Sequence, residues 1–547
     1  MRSEPSVLRD FTVDRRVWLL SGVAIGIGGC ATVLAVLLLR CIALFTNLFY
    51  YHRLSTVAVS PAGSPLGYWM VIVPVLGGLL VGLMARFGSD KIRGHGIPEA
   101  IEAILLHRAK VDPKIALLKP ISAAIAIGSG GPFGAEGPII MTGGAVGSLI
   151  AQWMHVTDAE RTTLLVAGAA AGMSATFATP VAAILLAVEL LLFEWRPRSL
   201  VPVAIASVTA AILRVYWLGA GPLFPMPAVA VTPSVSVVVG ALLLGAVMGV
   251  ASAGMSRMMY AFEDIFDHLH LHWMWWPALG GIGIGVGGLF FPRGLGVGYD
   301  NIAQLLRGQA TIGLIAGLLI AKSLMWAFSL GSGTSGGVLA PLLMIGGAVG
   351  ALAGHLAHAS VDAQAFWALI GMGSMLAGSL GVPLTAILFS LEVTHFLPAL
   401  LPLTMACIAS YLVTSLLMPR SILTEKLSRR GYHLSREYGV DPLELVMVRE
   451  LMTPVPRTKA ALPPLYTYSD GTARGAAELM ATEGLATLPV IDRKSQEVCG
   501  TISLSELLRG RTRSMERESE RLRLLSYPLR NPVLDRRPAS VANIDRL

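Results

Sequence analysis

Charge is what this chain has least of. Only 14% of its 547 residues are charged, against 54% hydrophobic, and mean hydropathy is +0.66. A soluble protein of this size carries about 25% charged residues, so a water-soluble globular protein is excluded. Cysteine is scarce too. Cys30, Cys41, Cys407 and Cys499 are scattered along the chain, which excludes a disulfide framework and offers no metal-ligand spacing. The apolar part shows no paired acid and base, no nucleophile with its base and no metal cluster. Neither an enzyme nor a bound cofactor is therefore expected. A membrane receptor or sensor signalling through the tail, without ion flux, is the alternative class. The net charge of +8 sits at the ends and in short loops, as topology signalling requires, and nucleic acid is not an expected partner.

Long apolar runs are what the chain has in abundance. Val17–Leu39, Leu66–Ala85, Ser236–Met255 and Leu397–Leu417 each reach the roughly 20 residues that cross a bilayer. They predict an all-α polytopic membrane domain over 13–430, with the lipid bilayer as its surroundings. Arg2, Arg9, Arg15 and Arg16 precede the first run and place the N-terminus in the cytoplasm. That run is too long for a signal peptide, and none is expected. Residues 1–12 read as a cytoplasmic tail. After Pro419 the composition shifts. A linker is expected over 431–445 and a small α/β unit over 446–511, with a helix at Ala473–Glu483, strands at Thr487–Asp492 and Val498–Ser503, and a helix starting at Leu504. The Arg- and Glu-rich stretch 512–547 has no core pattern and reads as a charged tail, disordered or packed on a surface.

Two segments repeat. Gly128–Gly147 and Gly331–Gly350 lie 203 residues apart and share eleven of twenty residues without a gap. The same offset pairs Pro180, Ile184, Leu185, Glu189 and Phe193 with Pro383, Ile387, Leu388, Glu392 and Phe396. A membrane protein built from two copies of one unit usually holds its cargo between them, where broken helices end inside the bilayer.

Three glycine-rich elements mark such ends: Gly94-His95-Gly96-Ile97-Pro98-Glu99, Gly134-Ala135-Glu136-Gly137-Pro138 and Gly336-Gly337-Val338-Leu339-Ala340-Pro341. Each precedes an apolar helical run, and proline suits a first helical turn. Helix N-termini carry unpaired N–H groups and partial positive charge. Several aimed at one point bind an anion without a lysine that would hold it too tightly to conduct. Glu136 has Leu339 as its repeat partner. A carboxylate in an apolar segment is costly and marks function. Beside helix N-termini it competes with the anion and leaves on protonation, or else it simply caps a helix.

These segments together resemble the signatures of the CLC family of chloride channels and chloride/proton antiporters, and the resemblance covers the whole membrane region. It implies an inverted repeat of broken helices, chloride and protons as cargo, a homodimer with one pore per subunit, and a prokaryotic inner membrane with both termini cytoplasmic. It gives Glu136 the gating role. It assigns anion binding to His95, Gly96, Ala135, Gly137, Val338 and Leu339. Family nitrate carriers usually have proline where His95 stands, and the fluoride branch has other glycine motifs, so chloride is the expected ion.

The departures from the family pattern matter as much. His95 replaces the inner-gate serine, Ala135 an arginine, and Leu423 the tyrosine that closes the inner side. Leu190 stands where antiporters often carry a proton-transfer glutamate. Glu194, one turn on, is a candidate substitute on the proton path, or a charge at a helix end beside Arg196 and Arg198. Glu189 and Glu392 are expected to be structural. Channel and antiporter both stay open. The tail resembles a single CBS domain through Leu451-Met452-Thr453-Pro454, Leu488-Pro489-Val490-Ile491-Asp492 and Gly500-Thr501-Ile502-Ser503. In nucleotide-binding copies an aspartate follows the Ser/Thr by three residues. Here Glu506 follows Ser503, which leaves an adenine-nucleotide site and a structural or dimerising role both open.

Overall fold

The computed structural model describes residues 15–227, 234–431, 443, 446–458 and 463–511. The expected N-terminal tail, most of the linker and the C-terminal tail lie outside the described residues. The chain divides into two units, a large one within Phe11–Arg436 and a small one within Glu437–Leu547.

The large unit is helical. Its first half contains α1 (Arg16–Tyr51), α2 (Ile72–Phe87), α3 (Ile97–Leu106), α4 (Pro113–Gly128), α5 (Glu136–Trp153), α6 (Asp158–Phe177), α7 (Pro180–Leu186, extended by a π-helical turn at Ala187–Leu192) and α8 (Pro197–Leu218). Its second half contains α9 (Val235–Asp267), α10 (Trp276–Phe290), α11 (Tyr299–Leu306), α12 (Ile312–Gly317), α13 (Ser323–Gly331), α14 (Leu339–Leu356), α15 (Val361–Leu380), α16 (Pro383–Thr394) and α17 (Leu400–Leu417), and α18 (Ile422–Arg429) follows. Among the described residues, eight helices are long and apolar enough to cross a membrane. The protein is an integral membrane protein. The first apolar run is longer than expected: α1 has 36 residues, about 54 Å of helix, so it crosses a core of about 30 Å at a tilt.

The repeat is exact at the level of helix ends. α5 and α14 start and stop 203 residues apart, and so do α6 and α15. The caps repeat as well. Thr157 accepts the Glu160 N–H at the start of α6, and Ser360 accepts the Ala363 N–H at the start of α15. Close packing repeats too. A Cβ on Gly143 would lie 2.3 Å from the Gly168 carbonyl oxygen, and one on Gly346 would lie 2.5 Å from that of Gly371. Small residues at these four positions let α5 meet α6, and α14 meet α15, backbone to backbone. Glu189 accepts the Leu384 and Thr385 N–H groups at the start of α16. Glu392 accepts those of Val181 and Ala182 at the start of α7. Each half thus caps a helix of the other, consistent with the structural role expected for both acids.

The small unit is α/β. A four-stranded sheet runs in the order β1-β4-β3-β2, with β1 Thr453–Thr458, β2 Thr467–Tyr468, β3 Thr487–Ile491 and β4 Val498–Ser503. β3 and β4 form an antiparallel pair, and β2 runs parallel to β3. The crossover between those two strands is the helix Ala473–Glu483. Its Ala473, Ala476 and Met480 join Leu488, Val490 and Ile502 in a core of its own.

Candidate anion site

The three glycine-rich segments do run into helix starts, and these starts meet. α3 begins after Gly96, whose φ of +91° suits glycine. Pro98 stands in the first turn, and the Glu99 carboxylate accepts the Gly96 N–H at 2.8 Å. α5 and α14 begin at Glu136 and Leu339, each with proline two residues on. Gly134 and Gly337 exchange both backbone hydrogen bonds, at 3.1 and 2.8 Å. They are repeat partners in an antiparallel bridge, so a local two-fold axis runs between them and the two halves are inverted about the site. A Cβ on Gly137 would fall 1.7 Å from the His95 carbonyl oxygen, and one on Gly96 would fall 2.5 Å from that of Gly137. The Gly336 N–H also reaches the Gly94 carbonyl at 3.4 Å. Each of the three loops therefore touches the other two.

A carboxylate occupies this junction. Glu136 is fully buried, and no side chain and no amide in regular hydrogen-bond geometry partners either of its oxygens. One oxygen lies 2.7 Å from where a Cβ of Gly337 would be, and the amides of Glu136 itself and of Ala340 face the group. The first amides of a helix have no carbonyl within it. Those of Val338, Leu339 and Ala340 on one side and of Glu136 and Gly137 on the other thus form a cradle of partial positive charge. The helix starts expected to supply the amides are the ones that meet here. The Ala340 amide is one the sequence did not single out, because glycine and proline mark where a helix starts but not which amide turns inward.

His95 lies below the cradle. It is buried, and both ring nitrogens are unpartnered. It lines a cavity of about 670 Å³ shared with Glu99, Lys426, Arg429 and Arg430. Lys426 of α18 pairs with Glu99 at 2.7 Å, which neutralises that buried acid and leaves Glu136 as the uncompensated one. Leu423 is buried. Beside it, Tyr260 of α9 donates its hydroxyl to the Ile422 carbonyl at 2.6 Å, another contact the sequence did not reveal. Glu194 is engaged elsewhere: it accepts the Ser199 hydroxyl and pairs with Arg196 and Arg198 at 3.5 and 3.3 Å. No hydrogen bond or ion pair among the described residues joins it to Glu136.

Two buried lysines complete the frame. Lys119 donates to the carbonyls of Ile92 and Gly94, and Lys322 to those of Gly294 and Gly296, all at 2.8 Å. They are repeat partners. Each ammonium is satisfied by the loop that launches a short helix, α3 in one half and α11 in the other, and Lys119 also feels the nearby Glu99 carboxylate. The start of α11, at Gly296-Val297-Gly298-Tyr299, is thus the counterpart of Gly94-His95-Gly96-Ile97. It is a fourth helix start that the sequence left unread.

In the small unit, Glu506 accepts the Ser503 N–H at 2.6 Å and hydroxyl at 2.9 Å, and also the Thr453 hydroxyl. Partial burial raises its pKa, and the hydrogen bonds from Thr453 and Ser503 outweigh this and hold it below the usual carboxylate range. The carboxylate caps the helical residues 504–511 and ties them to β1, an internal use that leaves less of it for a ribose.

A family model described as voltage gated chloride channel matches residues 76–415. The chain belongs to the voltage-gated chloride channel (CLC) family. The matched residues span α3 to α17 and so contain every element of the cradle. Among curated CLC relatives, the chain is 28% identical over 413 residues to a ClcB-like chloride channel protein of Ralstonia nicotianae, covering 74% of this chain and 96% of the relative. It is 30% identical over 389 residues to the H(+)/Cl(-) exchange transporter ClcA of Vibrio campbellii, covering 68% and 82%. Among solved CLC structures, a slow cyanobacterial Cl−/H+ antiporter superposes with a TM-score of 0.68 at 23% identity, covering 77% of this chain and 99% of the other. A eukaryotic CLC transporter gives 0.63 at 18% identity, covering 90% and 98%. Both support the membrane fold.

Proposed function

We propose that this protein carries chloride across a membrane, and that Glu136 admits or displaces the anion. The observation that carries the reading is an unpartnered carboxylate sitting among the open amides of two repeat-related helix starts. Ionised, Glu136 fills the cradle in place of chloride. Protonated, it loses its attraction for the amides and leaves. Proton binding and chloride entry are thereby linked. The relatives named as H(+)/Cl(-) exchangers favour exchange over a passive channel.

We infer that the exchange is loosely coupled. Leu190 and Leu423 put apolar side chains where a proton relay and a closing hydroxyl would otherwise stand, and Glu194 is held by its arginines. The cavity below His95 shares the side of α18, where the membrane unit ends. Its assignment to the cytoplasm follows from the basic N-terminal segment and the positive-inside rule. The homodimer and the bacterial inner membrane rest on family resemblance. Nucleotide binding by the small unit gains no support from the engaged Glu506.

Reconstituted into liposomes, the protein is expected to release chloride, and a sensor that carries no ion would release none. Under a pH gradient the reversal potential is expected to shift from the chloride equilibrium value, by less than full coupling requires. A potential that tracks chloride alone would make the protein a channel.

A further inference from the structure

Glu136 is not the only unpartnered polar group at the cradle. The buried hydroxyl of Tyr299 also lacks a partner, and Tyr299 lies within electrostatic reach of the Glu136 carboxylate. The symmetry explains the placement. α3 and α11 are counterparts, so the two-fold axis through Gly134 and Gly337 puts their starts on opposite sides of the cradle. His95 and the cavity belong to the α3 side, and Tyr299 to the other. The Gly298–Tyr299 turn packs on α14, where a Cβ on Gly298 would lie 3.0 Å from the Met344 sulfur, and the Ala340 amide at the start of that helix faces Glu136. Phe224, edge-on to the Tyr299 ring at 5.6 Å between centroids, holds that ring in place. A buried phenol without a partner costs stability, and Phe at this position would fill the same space without that cost.

We propose that Tyr299 is a positioning residue for the Glu136 gate: its hydroxyl donates to the carboxylate when that side chain swings out of the cradle toward the α11 side. The proposal rests on the gating role of Glu136. The buried ionisable groups nearby include His95 and Glu99 at α3, Lys119 on α4 and Lys322 before α13, while Asp300, next to Tyr299 on α11, is exposed. Glu99 is paired with Lys426, and each lysine is tied to two carbonyls. His95 faces the cavity on the opposite side. Tyr299 is thus the donor placed to meet an outward, ionised Glu136. A protonated Glu136 leaves the cradle unaided, so the hydroxyl matters most at neutral pH.

The test is chloride efflux from liposomes holding the full chain, compared at about pH 4.5 and pH 7.5. Tyr299→Phe is expected to lower flux about tenfold at the neutral pH, little at the acidic pH, and not at all when added to Glu136→Gln. Equal losses at both pH values, or in both backgrounds, would make Tyr299 a packing residue and overturn the proposal, as would no loss. A 3,5-difluorotyrosine at 299 keeps the ring and strengthens the donor. It is expected to raise neutral flux, and an unchanged rate counts against the idea even if Tyr299→Phe does not fold. A wild-type protein without flux, or a Glu136→Gln variant with an unaltered pH profile, would instead sink the transport or gate reading beneath it.

Discussion

Glu136→Gln is expected to flatten the pH dependence of chloride flux. In the native protein, flux rises as pH falls, because protonation removes the charge that holds the side chain among the amides. Charge-assisted hydrogen bonds contribute about 1.5–3 kcal/mol each, so the ionised carboxylate is a strong competitor and its loss changes site occupancy by at least about tenfold. Glutamine has the same shape but no charge. Its amide presents an N–H₂ as readily as an oxygen, and the N–H₂ is repelled by the cradle. Flux in the variant is expected to vary less than about twofold between about pH 4.5 and pH 7.5, and the reversal potential to lose its response to a pH gradient. Both are read in the same liposomes. A variant that keeps the native pH response removes Glu136 from the gate.

Gly137→Ala is the second change with a large effect. Its Cβ would stand 1.7 Å from the His95 carbonyl oxygen, and that neighbour is backbone, which no rotamer change can move aside. The contact between α3 and α5 has to open by more than 1 Å, and displacement on that scale at a reaction centre costs about 100-fold. Overpacking adds about 1–3 kcal/mol of destabilisation. Flux is expected to fall at least about 100-fold, with a lower Tm in detergent. Gly254→Ala is the control. Nothing lies within 4 Å of its Cβ position, it sits inside α9, and alanine is the better helix former there. A Gly137→Ala protein with native flux would mean that the helix starts need not converge for conduction.

The parts of the site that sequence revealed are those written in glycine and proline. Gly137 and Gly337 are glycine because another backbone occupies the space a side chain would need, and Gly134 because the Glu136 carboxylate does, so each contact leaves a mark on its chain segment. The 203-residue offset was legible for the same reason, since the packing of α5 on α6 and of α14 on α15 requires small residues in both halves. The start of α11 stayed hidden. It follows α3 by an offset of 202 rather than 203, and only its glycines match, because Val297 and Tyr299 replace His95 and Ile97. Lys119 and Lys322 do share the offset of 203, but a buried lysine looks like any other until its two carbonyls are seen. β1 was missed because Pro454 and Pro456 argue against a strand. It lies at the edge of the sheet, where a missing N–H is tolerated.

The central claim is that main-chain amides, not side-chain cations, hold the anion. Bromide anomalous scattering from crystals of the Glu136→Gln protein tests it most directly. The account predicts a peak between the start of α5 and the Gly337–Ala340 turn, within about 3.5 Å of backbone nitrogens. Bromide found only beside Lys119, Lys322 or the arginines of the cavity, with none at the helix starts, would contradict it.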